Sequence, residues 1–329
     1  MPIQNRSAPN PKEGYRPLVL IALAADRGFI QAGDTPLAHH TRFLVALLSC
    51  LLPASAYAGG IENEELRPYA TTFAGVESGQ LGFLRERADA STIIGLGEST
   101  HGTGDYTDLT REMLGFLAAE CGYNTLIIET SVGEAAYLNE YIQSQRDDLT
   151  HILTQVNTSW RYQTTQFIEL IEWMRRYNLS HTDTPLEIHG MEMQIVAADA
   201  ARLLAYLQRV GDDSPLPTFE SHLWQPASRA EHLRQYQQLN AVFDAFDTNR
   251  EQWIASQGES AYQVAYHHAE VIKQFLLASA QSREQRKHDL RDLYMSENVE
   301  WILWHRGQGA KALIWAHNAH IADGVDNGI

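Results

Sequence analysis

The sequence has few cysteines, no excess of basic residues and no long hydrophobic run, and each shortage excludes a class of protein. Only two of its 329 residues are cysteine, Cys50 and Cys121, which cannot build a disulfide framework or a cysteine zinc site. Lysine and arginine number 25 against 41 aspartates and glutamates, and the net charge of −16 argues against nucleic acid as a partner. No apolar run reaches the roughly 20 residues that span a bilayer, so we expect no stable membrane anchor.

A serine nucleophile on a sharp strand-to-helix turn is also missing. The nearest text is Gly97-Glu-Ser-Thr-His101, which lacks a glycine two residues after Ser99. A serine triad is therefore not expected. Water activated by a histidine or a carboxylate is the better mechanism for this chain.

The N-terminal region carries a pattern typical of export. Residues 43–53 are apolar, follow Arg42 and lead to Ala56-Tyr-Ala58, the small-residue pattern that a signal peptidase accepts. We therefore predict cleavage after Ala58 and a periplasmic or secreted protein, with residues 1–58 as an N-terminal extension and signal peptide. A buried helix is the alternative interpretation of the apolar run.

The composition, with 44% hydrophobic and 20% charged residues, is that of an ordinary globular protein. Four short apolar runs predict buried strands: residues 91–97, 124–129, 185–190 and 310–316. Apolar residues at helical spacing lie between the first two runs, which predicts a strand, helix, strand crossover. The fold class is therefore α/β, with a mostly parallel central sheet flanked by helices.

Residues 197–308 are almost wholly helical in pattern and predict a large helical insertion or lid within a domain that covers residues 59–329. After the last predicted strand, residues 319–329 predict a loop with no closing helix or strand. We therefore expect the domain to be incomplete at its C-terminal end.

Side chains able to carry chemistry cluster where the predicted strands end. Glu98 and His101 lie on a glycine-rich loop that leaves the first strand, at the edge where parallel sheets bind ligands. A carboxylate three residues before an imidazole can orient the ring for general base catalysis. The alternative is a glycine-rich turn in which Glu98 or Ser99 caps the next helix.

Two further groups are expected at the same edge. Glu129 ends the second strand, and a buried acid there needs a partner, either catalytic or in a structural salt bridge. His317, Asn318 and His320 follow the last strand and resemble part of a binding site. A loop fixes no metal geometry at this spacing, so we predict no metal and no cofactor.

Six motifs in order and at their present spacing resemble the erythromycin esterase family, and the resemblance runs from about Ile93 to Ile321. The motifs are Gly97-Glu-Ser-Thr-His-Gly102, the strand ending in Glu129, Trp173-Met-Arg-Arg-Tyr-Asn178, His189-Gly-Met-Glu-Met-Gln194, Arg291-Asp-Leu-Tyr-Met-Ser-Glu-Asn298 and Trp315-Ala-His-Asn-Ala-His320.

The resemblance implies a hydrolase that opens a macrolide lactone ester with a histidine-activated water, an activity associated with antibiotic resistance. It implies that His101 is the general base and that Glu98 and Glu129 orient it or the water. His317 and His320 would lie across the cleft and stabilise the oxyanion or protonate the alkoxide. The partner would be a small-molecule ester or lactone.

Other positions have weaker implied roles. We predict that Asn318 and Arg111 join His320 in substrate binding, although the family's basic residue falls at Thr110 and Arg111 is one step further along the helix. Arg291 is expected near the sheet, where a supporting salt bridge is at least as good an interpretation as catalysis. The family's aspartate after the third strand is Glu192 in this chain.

Two other functions fit the same residues. A metal-dependent hydrolase would use Glu98, His101, Glu129 and His317 as ligands, since carboxylates and imidazoles suit such ions. A carbohydrate or other small-molecule binding protein would keep the cleft without turnover. A chelator and a His101→Ala variant separate these alternatives from a metal-free esterase.

Overall fold

The computed structural model describes residues 19–25, 43–46, 70–73, 78–155, 162, 164–214, 216, 223 and 228–321. Its strands are β1 Val19–Ala25, β2 Phe43–Ala46, β3 Ala70–Phe73, β4 Ile93–Glu98, β5 Thr125–Ser131, β6 Glu187–Glu192 and β7 Ala312–His317. They form one sheet in the order β3, β2, β1, β4, β7, β5, β6. The five strands β1, β4, β7, β5 and β6 run parallel to one another. Strand β2 is antiparallel to both of its neighbours, β1 and β3.

Helices cover the sheet and form the insertion. A 3₁₀ segment, Ser78–Leu84, precedes them. They are α1 Arg85–Ala90, α2 Gly104–Cys121, α3 Val132–Ile142, α4 Leu149–Gln155, α5 Thr165–Ser180, α6 Ala197–Val210, α7 Arg229–Gln257, α8 Glu259–Ser279, α9 Glu284–Arg306 and α10 Asn318–Ile321. The predicted α/β class, with a mostly parallel sheet and a large helical insertion, is confirmed.

The strands alternate their side chains between two cores, as a sheet covered on both faces requires. In β5, Leu126 and Ile128 pack with α2 and α5 on one face, whereas Ile127 packs with α9 on the other. Burial of every β5 residue is consistent with the unbroken apolar stretch from Leu126 to Ile128 in the sequence.

Strand β7 lies between β4 and β5, which local sequence patterns did not predict. The expected crossover from β4 to β5 through α2 exists, but it skips one position in the sheet. In the register of β4 and β7, Glu98 lies opposite His317. The last strand of the described chain therefore brings its histidine directly to the first predicted catalytic motif.

All four predicted strands are present, and each begins and ends one or two residues later than predicted. Glu98 and His317 are consequently the last residues of their strands, whereas Glu129 lies inside β5, two residues before its end. The predicted loop after β7 was partly wrong, because Asn318–Ile321 form one helical turn. The rest of that loop, residues 322–329, lies outside the described residues.

The predicted cleavage after Ala58 also lies outside the described residues and stays a prediction. The apolar run at residues 43–53 contains the strand β2, and β2 pairs with β1, which in turn pairs with β4. Cleavage after Ala58 would remove both. Within the described ranges, no helix has the length and apolar character needed to cross a membrane.

The insertion, α6 to α9, is tied to the sheet by a buried carboxylate. Asp199, in the first turn of α6, is fully buried. Its Oδ1 accepts a hydrogen bond from His268 Nδ1 on α8 at 2.8 Å, and its Oδ2 accepts one from Ser131 Oγ at the end of β5 at 3.2 Å. Asp199 therefore joins the insertion to the strand that carries Glu129.

Replacement of His268 tests how much its contact with Asp199 contributes to stability. We expect His268→Leu to lower the free energy of unfolding by about 3 kcal/mol, because it leaves Asp199 buried without that donor. Urea unfolding measures the change, and the matched control is His151→Leu at an exposed position. Equal stability of the two variants would contradict the assigned role.

A second buried histidine of α8, His267, lies in a stack of three rings. The His267 ring stacks on Trp301 at 3.8 Å, and Trp301 stacks in turn on His305 at 4.7 Å. His267 Nε2 is buried and has no hydrogen-bond partner among the described residues. Burial, followed by the neighbouring His268, His305 and His189, lowers the pKa of His267 well below its ordinary value.

The sign of the resulting pH dependence follows from this lowered pKa. The unfolded chain binds a proton at the ordinary histidine pKa of about 6.5, whereas native His267 resists protonation, so stability falls as the pH drops below about 6.5. We expect His267→Phe, which keeps a ring on Trp301, to flatten this loss in urea unfolding between pH 7.5 and pH 5. His151→Phe should retain the wild-type slope. An unchanged slope in His267→Phe would count against the assignment.

Candidate active site

The loop that follows β4 presents a carboxylate and imidazole pair. His101 Nδ1 donates to Glu98 Oε1 at 2.6 Å, and Glu98 Oε2 accepts a hydrogen bond from Trp315 Nε1 of β7 at 3.1 Å. Glu98 is only 2% exposed, whereas the His101 side chain is 18% exposed. Gly102 adopts a positive φ of 74°, which favours glycine and turns the loop into α2. In this arrangement the lone pair of His101 lies on Nε2, as general base catalysis requires.

His317 faces this pair from the end of β7. Its ring centroid lies 5.2 Å from that of His101. The backbone N–H of Ala319 donates to His317 Nδ1 at 3.2 Å, and His317 Nε2 donates to the Ser99 carbonyl at 3.3 Å. These bonds fix the tautomer that carries its proton on Nε2. Burial and the adjacent His101 lower the pKa of His317, which favours the neutral ring.

Asn318 packs against the glycine of the facing strand. A Cβ added at Gly97 would overlap the Asn318 amide oxygen, so the turn after β7 needs glycine at this place in β4. The same oxygen is buried and finds no hydrogen-bond donor among the described residues. Asn318 therefore lies beside Glu98 and His317, which are opposite each other in β4 and β7.

A buried guanidinium holds the neighbouring strand ends. Arg291 of α9 is 5% exposed, and its Nη2 donates to Glu129 Oε1 at 2.7 Å while its Nε donates to Glu192 Oε2 at 2.7 Å. Burial by itself would lower the pKa of Arg291. The neighbouring carboxylates of Glu192 and Glu129 raise this pKa by more than burial lowers it, so the side chain stays charged. Glu129 Oε2 also accepts the backbone N–H of His317 at 3.0 Å. The supporting salt bridge expected for Arg291 is therefore present.

His320 is held by two consecutive residues of α9. Arg291 Nη1 donates to His320 Nε2 at 2.6 Å, and His320 Nδ1 donates to Asp292 Oδ1 at 2.7 Å. Because arginine can only donate, this ring carries its proton on Nδ1. Its ring centroid is 6.5 Å from that of His317. His320 thus links α9 to the turn that contains His317.

The structure brings six of the seven predicted site residues to one edge of the sheet. They are Glu98, His101, Glu129, His317, Asn318 and His320. The sequence did not identify Trp315 or Asp292 as their partners. A tryptophan at the end of an apolar strand predicts a core residue, and a single helical aspartate carries no special signal.

Comparison with known proteins shows the family of this chain. The model of the erythromycin esterase family matches residues 118–326, more than half of the chain. The chain belongs to the erythromycin esterase family. The matched range begins in α2 and contains Glu129, Arg291 and His317, whereas Glu98 and His101 precede it.

Individual relatives of the family are distant in sequence. A Bacillus subtilis (strain 168) protein named "Putative hydrolase YbfO" is 23% identical over 270 residues, which cover 73% of this chain and 58% of that protein. The chain therefore spans less than two thirds of the length of this curated relative.

Two solved structures share the fold. A succinoglycan biosynthesis protein superposes with a TM-score of 0.63 at 19% identity, over 77% of this chain and 64% of that chain. A mutant of the erythromycin esterase EreC in its open conformation gives 0.55 at 15% identity, over 74% and 64%. At these identities the likeness concerns the fold alone.

The structure does not bring Arg111, the seventh predicted site residue, to the edge of the sheet where the other six lie. Neighbouring helical positions are rotated by about 100°. Thr110 is fully buried, and Arg111 instead lies near Asp108 and Glu112 at 3.6 and 3.5 Å. It lines a groove of about 550 Å³ with Trp173 and others. Its predicted part in substrate binding therefore has no support from its position.

The metal-dependent alternative finds no support in the geometry either. Within the described ranges, no group of three or more histidine, cysteine, aspartate or glutamate side chains could hold a metal ion. Glu98 and Glu129, two of the four proposed ligands, direct their carboxylate oxygens to Trp315, Arg291 and the backbone of His317.

Replacement of Arg291 tests the support of the strand ends. We expect Arg291→Met to destabilise the protein by about 4 kcal/mol, because Glu129 and Glu192 stay buried without their cation. Arg111→Met, at a partly exposed ion pair, should change stability by less than about 1 kcal/mol. Urea unfolding of both variants checks the difference, and a mild loss for Arg291→Met would refute the role.

Proposed function

We propose that this member of the erythromycin esterase family is a carboxylic ester hydrolase that acts through a water activated by His101. The observation that carries the proposal is the Glu98 and His101 pair facing His317 across 5.2 Å at the carboxyl end of the sheet. One histidine is oriented to accept a proton, and the other is oriented to donate a hydrogen bond. Family membership supports a hydrolase.

The first half of the proposed reaction forms a tetrahedral intermediate. His101 Nε2 takes a proton from water as the water oxygen attacks the ester carbonyl carbon, and the carbonyl oxygen becomes an oxyanion. Glu98 stabilises the resulting imidazolium through its 2.6 Å bond to Nδ1. His317 supports the oxyanion, because its Nε2 proton can move from the weak 3.3 Å bond with Ser99 to a stronger acceptor.

The second half expels the alcohol. The bond between the carbonyl carbon and the ester oxygen breaks, and His101 returns its proton to the leaving alkoxide. The products are a carboxylic acid and an alcohol, or one hydroxy acid when the substrate is a lactone. Neither half of this reaction needs a cofactor.

Glu129 has a supporting part in this proposal. Arg291 and the backbone of His317 occupy its two carboxylate oxygens, so its contribution is to position the turn after β7. His320, likewise bonded at both ring nitrogens, holds the same turn. Asn318 is half-buried and lies beside Glu98 and His317, so it is the better candidate for a contact with substrate.

The proposed substrate is a small ester or lactone, with macrolides as the first class to test. This choice rests on the family and on the resemblance of six motifs. A role in antibiotic resistance and export of the protein after cleavage at Ala58 are parts of the same proposal. The N-terminal residue of protein recovered from cells tests the export.

The decisive experiment compares His101→Ala with the wild type on macrolides and on simple aryl and lactone esters. We expect kcat/KM to fall by more than about 100-fold, because a general base contributes at least that much. His151→Ala, at an exposed position, should keep full activity, and a chelator should change nothing.

Each other result would contradict part of the proposal. More than about a tenth of the activity remaining in His101→Ala would remove His101 as the base. Loss of activity with chelator would indicate a metal-dependent hydrolase. Binding of a test ester without turnover, unchanged in His101→Ala, would indicate a binding protein.

A further inference from the structure

A buried tyrosine next to the candidate site has no part in the reaction described above. Tyr106, in the first turn of α2, is 1% exposed. Its hydroxyl lies 2.7 Å from Ser99 Oγ, within hydrogen-bond distance. Ser99 directly follows Glu98, and the Ser99 carbonyl accepts the hydrogen bond from His317 Nε2. The Tyr106 hydroxyl is thus connected to His317 through a single residue, Ser99.

Tyr106 itself is firmly anchored. Its backbone N–H donates to the Thr103 carbonyl at 3.2 Å, and its own carbonyl accepts Thr110 Oγ1 at 2.8 Å. The ring belongs to the core that contains Leu96 of β4 and Trp315 of β7. A fixed phenol can therefore hold Ser99, which is exposed on the loop.

The loop from Ser99 to Thr103 carries His101, and both ends of the catalytic arrangement depend on it. One end is the imidazole of His101, and the other is the Ser99 carbonyl that contacts His317. A displacement of Ser99 would change the spacing between the two rings, now 5.2 Å. Misplacement of reacting groups by about 1 Å can cost as much as 100-fold in rate.

We infer that Tyr106 is a positioning residue, which sets the separation of His101 and His317 through its hydrogen bond to Ser99. The inference rests on the proposed function, since its kinetic consequence requires that these two histidines act on the substrate. The phenol touches neither substrate nor water in this role. It acts only through Ser99.

The kinetic test is a double-mutant cycle with Tyr106→Phe, Ser99→Ala and the double variant. Each change removes one partner of the same bond and keeps most of the packing. We expect each single variant to lower kcat roughly tenfold with a smaller effect on KM, and the double variant to lose no more than either single one. Effects that multiply, or a kcat equal to that of the wild type, would overturn the inference.

The matched control is Tyr123→Phe. Tyr123 is also fully buried, but its hydroxyl donates to the carbonyls of Ala88 and Ser91, next to the start of β4. This variant loses a comparable buried hydrogen bond without a contact to Ser99. It should lose stability but keep kcat, whereas a fall in kcat equal to that of Tyr106→Phe would show a general structural effect and overturn the inference.

A readout without substrate separates this inference from the proposed function. The ¹⁵N resonances of the His317 ring report its hydrogen bond to Ser99, and we expect them to shift in Tyr106→Phe but not in Tyr123→Phe. If this occurs while the wild type hydrolyses no ester, the positioning contact holds and the proposed function fails. Identical His317 resonances in the wild type and Tyr106→Phe would overturn the contact itself.

Discussion

The buried charge of Arg291 is the constraint on which the rest of the candidate site depends. A guanidinium removed from water is stable only with close anionic partners, and two strand ends supply them as Glu129 and Glu192. Through Glu129 the same charge reaches the backbone of His317, and through its third nitrogen it reaches His320. One helix, two strands and the turn after a third strand are therefore fixed by a single side chain.

The helical insertion is coupled to this network at a neighbouring point. Glu192 ends β6, and Asp199 begins the insertion shortly afterwards while bonding to the end of β5. The reciprocal amide pair of Gln274 and Asn298 adds a second contact, since Asn298 also donates to the carbonyl of Met191 in β6. Polar contacts of this kind specify how the insertion sits on the sheet more sharply than apolar packing alone.

Local patterns in the sequence were sufficient for β4 to β7, the insertion and the Glu98 and His101 motif, because strand alternation and helical spacing are properties of neighbouring residues. They did not predict β1, β2 or β3. The order of strands was not predictable, since β7 pairs with β4 and β5 across separations of about 220 and 190 positions. The partner of Glu129 is Arg291, 162 positions away. The sequence indicated only that a buried acid at this position would need some partner. Arg111 lies apart from the other six predicted site residues, because one helical step changes which side of α2 a residue occupies.

The central position of β7 has a consequence for how the protein is made. During synthesis, β4 and β5 leave the ribosome long before β7, and the place between them stays open until about 180 further residues have been added. The intervening stage exposes two apolar strand edges, which are prone to pair with other chains. During this time the Glu98 carboxylate also lacks its hydrogen bond from Trp315. A nascent chain of this protein therefore forms the pair of His101 and His317 only after the whole helical insertion has been made.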